Sequence, residues 1–339
     1  ELDREAEGRL DRVVEDGDRL DELEQARALV PRHRRGALRD VVPDERRDRH
    51  RRHLADPELG GRGPDLGLDG DIPKYWLDGD AFKTRFFDAM SILFPEGEKF
   101  FIACVRDYRD QITDAELKAQ VKDFMYQEGQ HGMVHTQFNN RLKAQGVQVD
   151  HILEEQKRIM FKVFRKHFPK TFTLGQTAAA EHLTALMAHA FFSNGLFKEA
   201  DPRIRAMFAW HAVEEIEHKA VAFDVFRDIA KGSWLMRVAS MMFVSFTFPM
   251  HTFLIMRHMF QVDGLKQRWK LWAKGLWWLY GYKGVFPHLI PAYLAYYRPG
   301  FHPRDHGDLD IYHHWRRAYE ANGHDAIAAG DAVIALTTA

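Results

Sequence analysis

Residues 210–224, WHAVEEIEHKAVAFD, put two histidines and three glutamates into a segment whose other residues are mostly apolar. Each residue of an α-helix advances by about 100°, so with His211 at zero Glu215 falls at about +40° and His218 at about −20°. These three make one stripe. Glu214, at about −60°, stays open on geometry alone, whereas Glu217, at about −120°, points elsewhere. Trp210, Ala212, Val213, Ile216, Ala220, Val221 and Phe223 make most of the circumference apolar. A helix apolar nearly all round is buried, and buried charges need partners or a metal. The chain therefore has to fold around this segment with other elements that answer its charges.

From Ile72 onward helical patterns dominate and alternating strand patterns are absent, which predicts an all-α fold. Phe94-Pro95 predicts the start of a helix through residues 96–105. Thr113-Asp-Ala-Glu116 reads as a capping box opening a helix to residue 143, stopped by Gly146. Further helices are expected over 152–167, halted by Pro169, and over 174–197. Another starts at an Asp201 N-cap with Pro202 in the first turn and runs to 231–232. No glycine-rich phosphate loop and no nucleophile elbow interrupts the pattern.

The second of these helices contains QEGQHGMVH, with Glu128 and His131 three residues apart and His135 a turn further on. Glu-x-x-His thus occurs twice, as Glu128/His131 and Glu215/His218. Glu98 in FPEGEKFF and Glu181 in TAAAEHLTALMAHAFF supply single glutamates in apolar settings. One glutamate from each of two helices and Glu-x-x-His from each of two others is the ferritin-like di-metal pattern. Bridging carboxylates offset the charge of two metals, and terminal imidazoles leave positions open for substrate or oxygen. His211 adds a third histidine on the Glu215/His218 stripe, and in this the chain resembles the di-iron N-oxygenases that convert arylamines to nitro compounds. FPEGEKFF, QEGQH, AAEHLTA and WHAVEEIEHKAVAFD together resemble the family called "predicted metal-dependent hydrolase", over residues 72 to about 305. That resemblance implies Glu98, Glu128, His131, Glu181, His211, Glu215 and His218 as ligands, with Glu215 preferred over Glu214.

Around this set, His135 reads as an eighth ligand, a proton shuttle or a donor behind the ligands, and Asp224 as a partner orienting a ligand imidazole. His182 and His189 satisfy local polar needs, and Tyr108 and Tyr126 are core aromatics. Iron is the expected metal, two ions per chain, with manganese or zinc as alternatives. The expected activity is that of a non-haem di-iron oxidoreductase. It would use O₂ and an electron donor the sequence does not identify to hydroxylate, desaturate or N-oxygenate a small organic or acyl-chain substrate. The alternatives are a di-metal-dependent hydrolase and a non-catalytic iron-binding ferritin relative.

Composition narrows the rest. Net charge is −1, which gives no sign of nucleic-acid binding, and the single Cys104 excludes an internal disulfide or a cysteine-rich metal site. No charged-then-apolar secretory signal opens the chain, which predicts a cytoplasmic protein. Residues 1–70 use only ten residue types, all encodable by codons beginning with G or C, as expected of GC-rich DNA read in a shifted frame. They are read as a non-native or disordered charged segment. The remaining organisation is a ferritin-like bundle over 71–232, a hydrophobic helical extension over 233–305 and a tail over 306–339. Within the extension, residues 234–256 approach the length of a membrane span, kinked at Pro249, and 271–297 are aromatic-rich with scattered lysines. A membrane surface or a homodimer contact is the expected partner of this region.

Overall fold

Asp80 starts the first long helix. Its carboxylate accepts from the backbone N–H groups of Phe82 and Lys83, at 2.8 and 3.0 Å, donors that no helical carbonyl can reach. The resulting α1 (Ala81–Arg106) runs on through Pro95, so the expected start at Phe94-Pro95 is corrected. Proline lacks the N–H that would bond the carbonyl four residues back. Here that carbonyl, on Ser91, accepts from the Asn139 side-chain amide at 2.9 Å.

The structure, a computed structural model, describes residues 64, 66–193, 195–305 and 309–338. The reading of residues 1–70 falls largely outside them. Leu66 and Leu68, however, are buried in the same core as Trp76, so packing begins before the expected boundary at 71. Among the described residues there is no strand beyond an isolated Leu77–Ala200 bridge, and the fold is all-α as expected.

Helix α2 (Ala115–Ala144) is capped by Asp114, which accepts from the Leu117 N–H at 2.7 Å, one residue later than the capping box suggested. Next, α3 (Val149–Lys157) passes through a π-helical stretch, Arg158–Phe164, into α4 (Arg165–His167). After α5 (Lys170–Ser193), Asp201 and Pro202 open α6 (Pro202–His218) as the sequence indicates. The helix expected to reach 231–232 stops at His218, and α7 (Val221–Asp224) and a second π stretch, Val225–Ile229, follow. Ser233 caps α8 (Trp234–Val262), which contains Pro249. Four shorter helices complete the chain: α9 (Trp269–Tyr280), α10 (Ile290–Ala295), α11 (Leu309–Ala321) and α12 (Ala326–Thr338). The last two pack on α6, with Trp315, Ala329 and Val333 buried, so the expected tail forms part of the core.

Side-chain pairs give the helix directions. Ser91 meets Asn139, and Glu98 lies beside Gly132, so α1 and α2 run antiparallel. Thr184–Glu215 and Glu181–His218 make α5 and α6 antiparallel, and His135–His211 with Gln127–Glu217 do the same for α2 and α6. Two apolar clusters fill the interior. One is built around Phe87, Phe191, Phe197 and Phe208, and the other around Phe100, Phe124, Phe223 and Phe226. Each buried phenylalanine contributes about 1.5–3 kcal/mol of transfer free energy.

One buried ion network ties α8 to α1. Arg85, fully buried, donates from Nε and Nη2 to both oxygens of Asp263 at 2.8 Å and from Nη1 to Asp88 at 2.9 Å. Arg85→Leu leaves two carboxylates with weaker compensation, from Arg141 and Lys74. Breaking a buried pair by removing one partner is strongly destabilising, and a loss of about 3 kcal/mol is expected in urea unfolding. A loss below about 1 kcal/mol would show the network to be dispensable.

Candidate metal centre

Four helices converge where the two apolar clusters meet. Helix α1 supplies Glu98, α2 supplies Glu128, His131 and His135, α5 supplies Glu181, and α6 supplies His211, Glu215 and His218, all buried. Phe94 packs on His135 and His211 from one side, and Phe124 on His218 from the other. Ligand atoms of Glu128, His131, Glu215 and His218 lie within 4.8 Å of one another, and those of Glu98, His135 and His211 form a second such group. Glu215 joins the two, with Oε1 2.9 Å from His211 Nε2 and 3.9 Å from His131 Nδ1. Glu181 approaches the first group through His218 Nδ1 at 3.0 Å, and Glu128 Oε1 lies 3.4 Å from His218 Nε2. The structure thus brings together all seven residues that the family resemblance implied.

The donor set suits cations. Both oxygens of Glu98 and of Glu128, Oε1 of Glu181, Nδ1 of His131 and Nε2 of His218 are buried without a hydrogen-bond partner. Buried polar atoms are nearly always paired, and ionised ones need a counter-charge. Without that charge, protons take its place. Burial, reinforced by neighbouring carboxylates, pushes Glu98 and Glu128 well above the usual carboxylate range. Burial, then Glu215, raises Glu181 to about 7, and burial, then Glu217, raises Glu214 to about 8. Burial opposes charge on His218, but Glu181 and Glu215 outweigh it and lift the imidazole to about 9. Burial and the other imidazoles hold His131 and His135 well below their ordinary value.

Hydrogen-bond polarity separates the residues that face the centre from those behind it. Glu214, left open by helix geometry, accepts from Trp210 Nε1 at 2.9 Å and lies 2.8 Å from His131 Nε2. With Glu214 ionised, as a bound cation would favour, its carboxylate would accept the Nε2–H and leave the lone pair of His131 on Nδ1, the atom facing Glu215. Glu214 would then orient that imidazole. A longer chain does the same for His211. The Asn139 amide donates to the Ser91 carbonyl freed by Pro95, which fixes Asn139 Oδ1 as the acceptor of the Ser91 hydroxyl at 2.8 Å. Ser91 Oγ then accepts the Nδ1–H of His135 at 2.8 Å, and His135 Nε2 accepts the Nδ1–H of His211 at 2.6 Å. His211 Nε2, 4.0 Å from Glu98, donates to Glu215 Oε1 at 2.9 Å, and a cation bound there would take the place of that proton. Of the readings open for His135, this polarity supports the donor behind the ligands.

Ser91→Ala breaks that chain. Metal affinity is expected to fall about 10- to 100-fold at one of the two positions, the usual effect of losing an outer partner of a ligand. Loss of the single His211 tautomer in ¹⁵N NMR should accompany it, and unchanged affinity with an unchanged tautomer would contradict this polarity.

Asp224 lies elsewhere. Its carboxylate is taken up by His302 Nε2 at 2.7 Å, Arg304 at 2.9 Å and Arg227 at 3.0 Å, which hold it below the usual range against the effect of burial. The expected role of orienting a ligand imidazole is thereby corrected, since six residues beyond His218 the chain has left α6. Glu217 accepts from Gln127 at 3.0 Å and Tyr312 at 3.3 Å, away from the centre.

Glu98 and Glu215, one from each group, open onto a pocket of roughly 970 Å³, counting the part exposed to solvent. Its walls come from α1, α3 with its π stretch, α5 and α8, and are nearly all apolar. At its floor the Thr184 hydroxyl donates to Glu215 Oε2 at 2.5 Å and sets the carboxylate's orientation. Thr184 was not singled out from the sequence, although its place three residues after Glu181 puts it on the same helix face.

Fold and cluster together define an all-α protein with a buried, two-part carboxylate–imidazole site suited to metal. A family model described as predicted metal-dependent hydrolase matches residues 61–307, and the chain belongs to that family. Neither the comparison with curated proteins nor that with solved structures returned a match.

Proposed function

We propose that the chain is a two-metal enzyme acting on an apolar substrate, with hydrolysis, as the family description has it, the leading reaction class. The observation that carries this is the set of unpartnered, converging ligand atoms opening onto an apolar pocket. Glu128, His131, Glu215 and His218 would hold one ion and Glu98 and His211 the other, with Glu215 between them and Glu181 completing the set. A bound pair of ions would polarise a substrate carbonyl and lower the pKa of a water towards neutrality. The chain's own groups do the rest. The apolar walls hold the substrate and exclude bulk water, Thr184 keeps Glu215 in place, and Glu98 is positioned at the pocket floor to receive a proton. The order Glu, Glu-x-x-His, Glu, Glu-x-x-His along α1, α2, α5 and α6 is that of the ferritin-like di-metal proteins and supports reading the bundle as related to them.

A second reading, oxidation with two irons and O₂, draws on His211 as a third imidazole and on the apolar lining of the pocket. Loading with Fe(II), Mn(II) or Zn(II) separately, then assaying dodecanoyl esters and amides with and without oxygen, decides between the two. Turnover with zinc or manganese under anaerobic conditions supports hydrolysis. Turnover with iron that requires oxygen supports the second reading, and two ions bound with neither reaction would make the protein a binding relative.

One described helix, Trp234–Val262, is long and apolar enough to cross a membrane. Met241, Ile255, Met256, Met259 and Phe260 on one side of it are buried in the core, while Leu235, Met242, Phe246 and Leu254 on the other are exposed. Trp269, Trp277 and Tyr282 extend the exposed face. From residue 229 to 304 the sequence has ten Lys and Arg and a single acid, Asp263, which is already paired with Arg85 and Lys74. We propose that this face lies on an anionic lipid surface without spanning it, since its other side is core. The half-buried Phe243, Val244, Thr247, Phe248 and His251 of α8 line the pocket, which gives a lipophilic substrate a route in. Sedimentation with phosphatidylglycerol vesicles tests this, and a dimer that does not bind vesicles would assign the face to a second copy.

A further inference from the structure

Two residues of the pocket are out of keeping with its walls. Gln156 on α3 and Gln176 on α5 are 5% and 4% exposed, and neither the amide nitrogen nor the carbonyl oxygen of either has a hydrogen-bond partner. Both line the same cavity, from different helices. A buried amide without partners costs stability, and a leucine of similar size would avoid that cost. No packing requirement accounts for glutamine at both positions.

We propose that Gln156 and Gln176 form a recognition subsite for a neutral carboxamide carried by an otherwise apolar ligand. This rests on the pocket being the substrate site but is separate from which reaction occurs there. Each glutamine offers an N–H₂ donor and a carbonyl acceptor, so the complementary group must both accept and donate. A carboxamide does both, whereas an ester only accepts and leaves the glutamine carbonyls unpaired. A carboxylate is disfavoured as well, because no Lys or Arg lines the cavity and its ionisable residues are Glu98, Glu215 and His251. The His251 Nδ1–H is turned to the Thr247 carbonyl at 2.8 Å.

Placement says what such a subsite does. Gln176 lies eight residues before Thr184 on α5, about 12 Å along the helix axis. An amide held there is remote from the Glu98–Glu215 floor. It is therefore a positioning contact, setting which point along an acyl chain reaches the centre, and is distinct from the bond that reacts.

The test uses the metal-loaded full chain and three probes of equal chain length, N-methyldodecanamide, methyl dodecanoate and dodecanoate, with binding read by calorimetry. The amide should bind about tenfold more tightly than the ester, the usual scale of one or two hydrogen bonds. In the double variant Gln156→Leu/Gln176→Leu that preference should vanish while ester binding persists, and the melting temperature of the ligand-free protein should rise. Equal binding of amide and ester to the wild type overturns the subsite and leaves the pocket intact. So does a preference that survives in the double variant, or a double variant that melts lower, which would show that the amides already have partners. If none of the probes binds, the pocket is not an acyl site, and the proposed function falls with the subsite.

Discussion

Glu128→Leu is expected to give a metal-free protein that melts higher than wild type and that zinc no longer stabilises. Glu128 is buried, neither carboxylate oxygen has a hydrogen-bond partner, and Glu181, Glu215 and Glu98 surround it. The His218 imidazole 3.4 Å away, shared with Glu181, compensates it only in part. Near pH 8 the wild-type fold must either ionise this group among other carboxylates or keep a proton on it at a cost. Leucine has similar volume and removes the problem, as replacing poorly compensated buried charge with a packed apolar group commonly does. A gain of about 3 kcal/mol is a reasonable scale for a charged unsatisfied group. In a chain of this size that corresponds to a rise of roughly 4 °C. Wild type, in contrast, should gain about 4 kcal/mol from metal at a thousand times its dissociation constant. Glu217→Leu is the control: that carboxylate is already bonded by Gln127 and Tyr312, so its loss should destabilise. If Glu128→Leu also melts lower and still takes up two ions, Glu128 is a structural residue and the ligand set is misassigned.

The contrast between Glu128 and Glu217 also shows what a single sequence makes legible. Residues three or four apart on one helix share a face whatever the tertiary structure, so Glu128/His131 and His211/Glu215/His218 could be read directly. Glu98 and Glu181 followed because a lone carboxylate in an apolar helix demands a partner. Contacts between helices have no such local signature. Ser91, Asn139 and His135 form a chain only because α1 and α2 are antiparallel at one particular register. Its visible sign was Pro95, read as a helix start when it in fact releases a carbonyl inside the helix. Glu214 was ambiguous for a related reason: its angle could not say whether it faced the centre of the cluster or the back of His131. The break at His218, which carries Asp224 away to His302, and the docking of α11 and α12 on α6 depend on packing that periodicity does not encode.

The same carboxylate cluster makes the metal-free protein lose stability as pH rises, and the metal-loaded protein gain affinity over that range. Glu181 and Glu214, lifted to about 7 and about 8 from an ordinary value of 4.5, bind protons in the folded state that the unfolded chain has already released. Each such group costs about 1.4 kcal/mol per pH unit between its unfolded and folded values. Glu98 and Glu128, also raised well above the ordinary range by burial and neighbouring carboxylates, act in the same direction. His218, at about 9 against 6.5, stabilises fully below pH 6.5, and its contribution is lost as pH rises through 9. His131 and His135 oppose this only at the acid end, because their folded values lie well below 6.5 and unfolding takes up protons there. Between pH 4.5 and 6.5 the four raised glutamates outweigh the two lowered imidazoles, so metal-free stability should peak at about pH 4.5 to 5 and fall towards pH 9. Metal ions displace the same protons, so binding should release at least one proton per ion and strengthen about tenfold or more per pH unit from 6 to 8. Melting curves across pH 5–9 with and without zinc, and calorimetry in two buffers of different ionisation enthalpy, measure both effects. A metal-free melting temperature that stays level from pH 6 to 9, or zinc binding without proton release, would mean that these glutamates do not share one dry site.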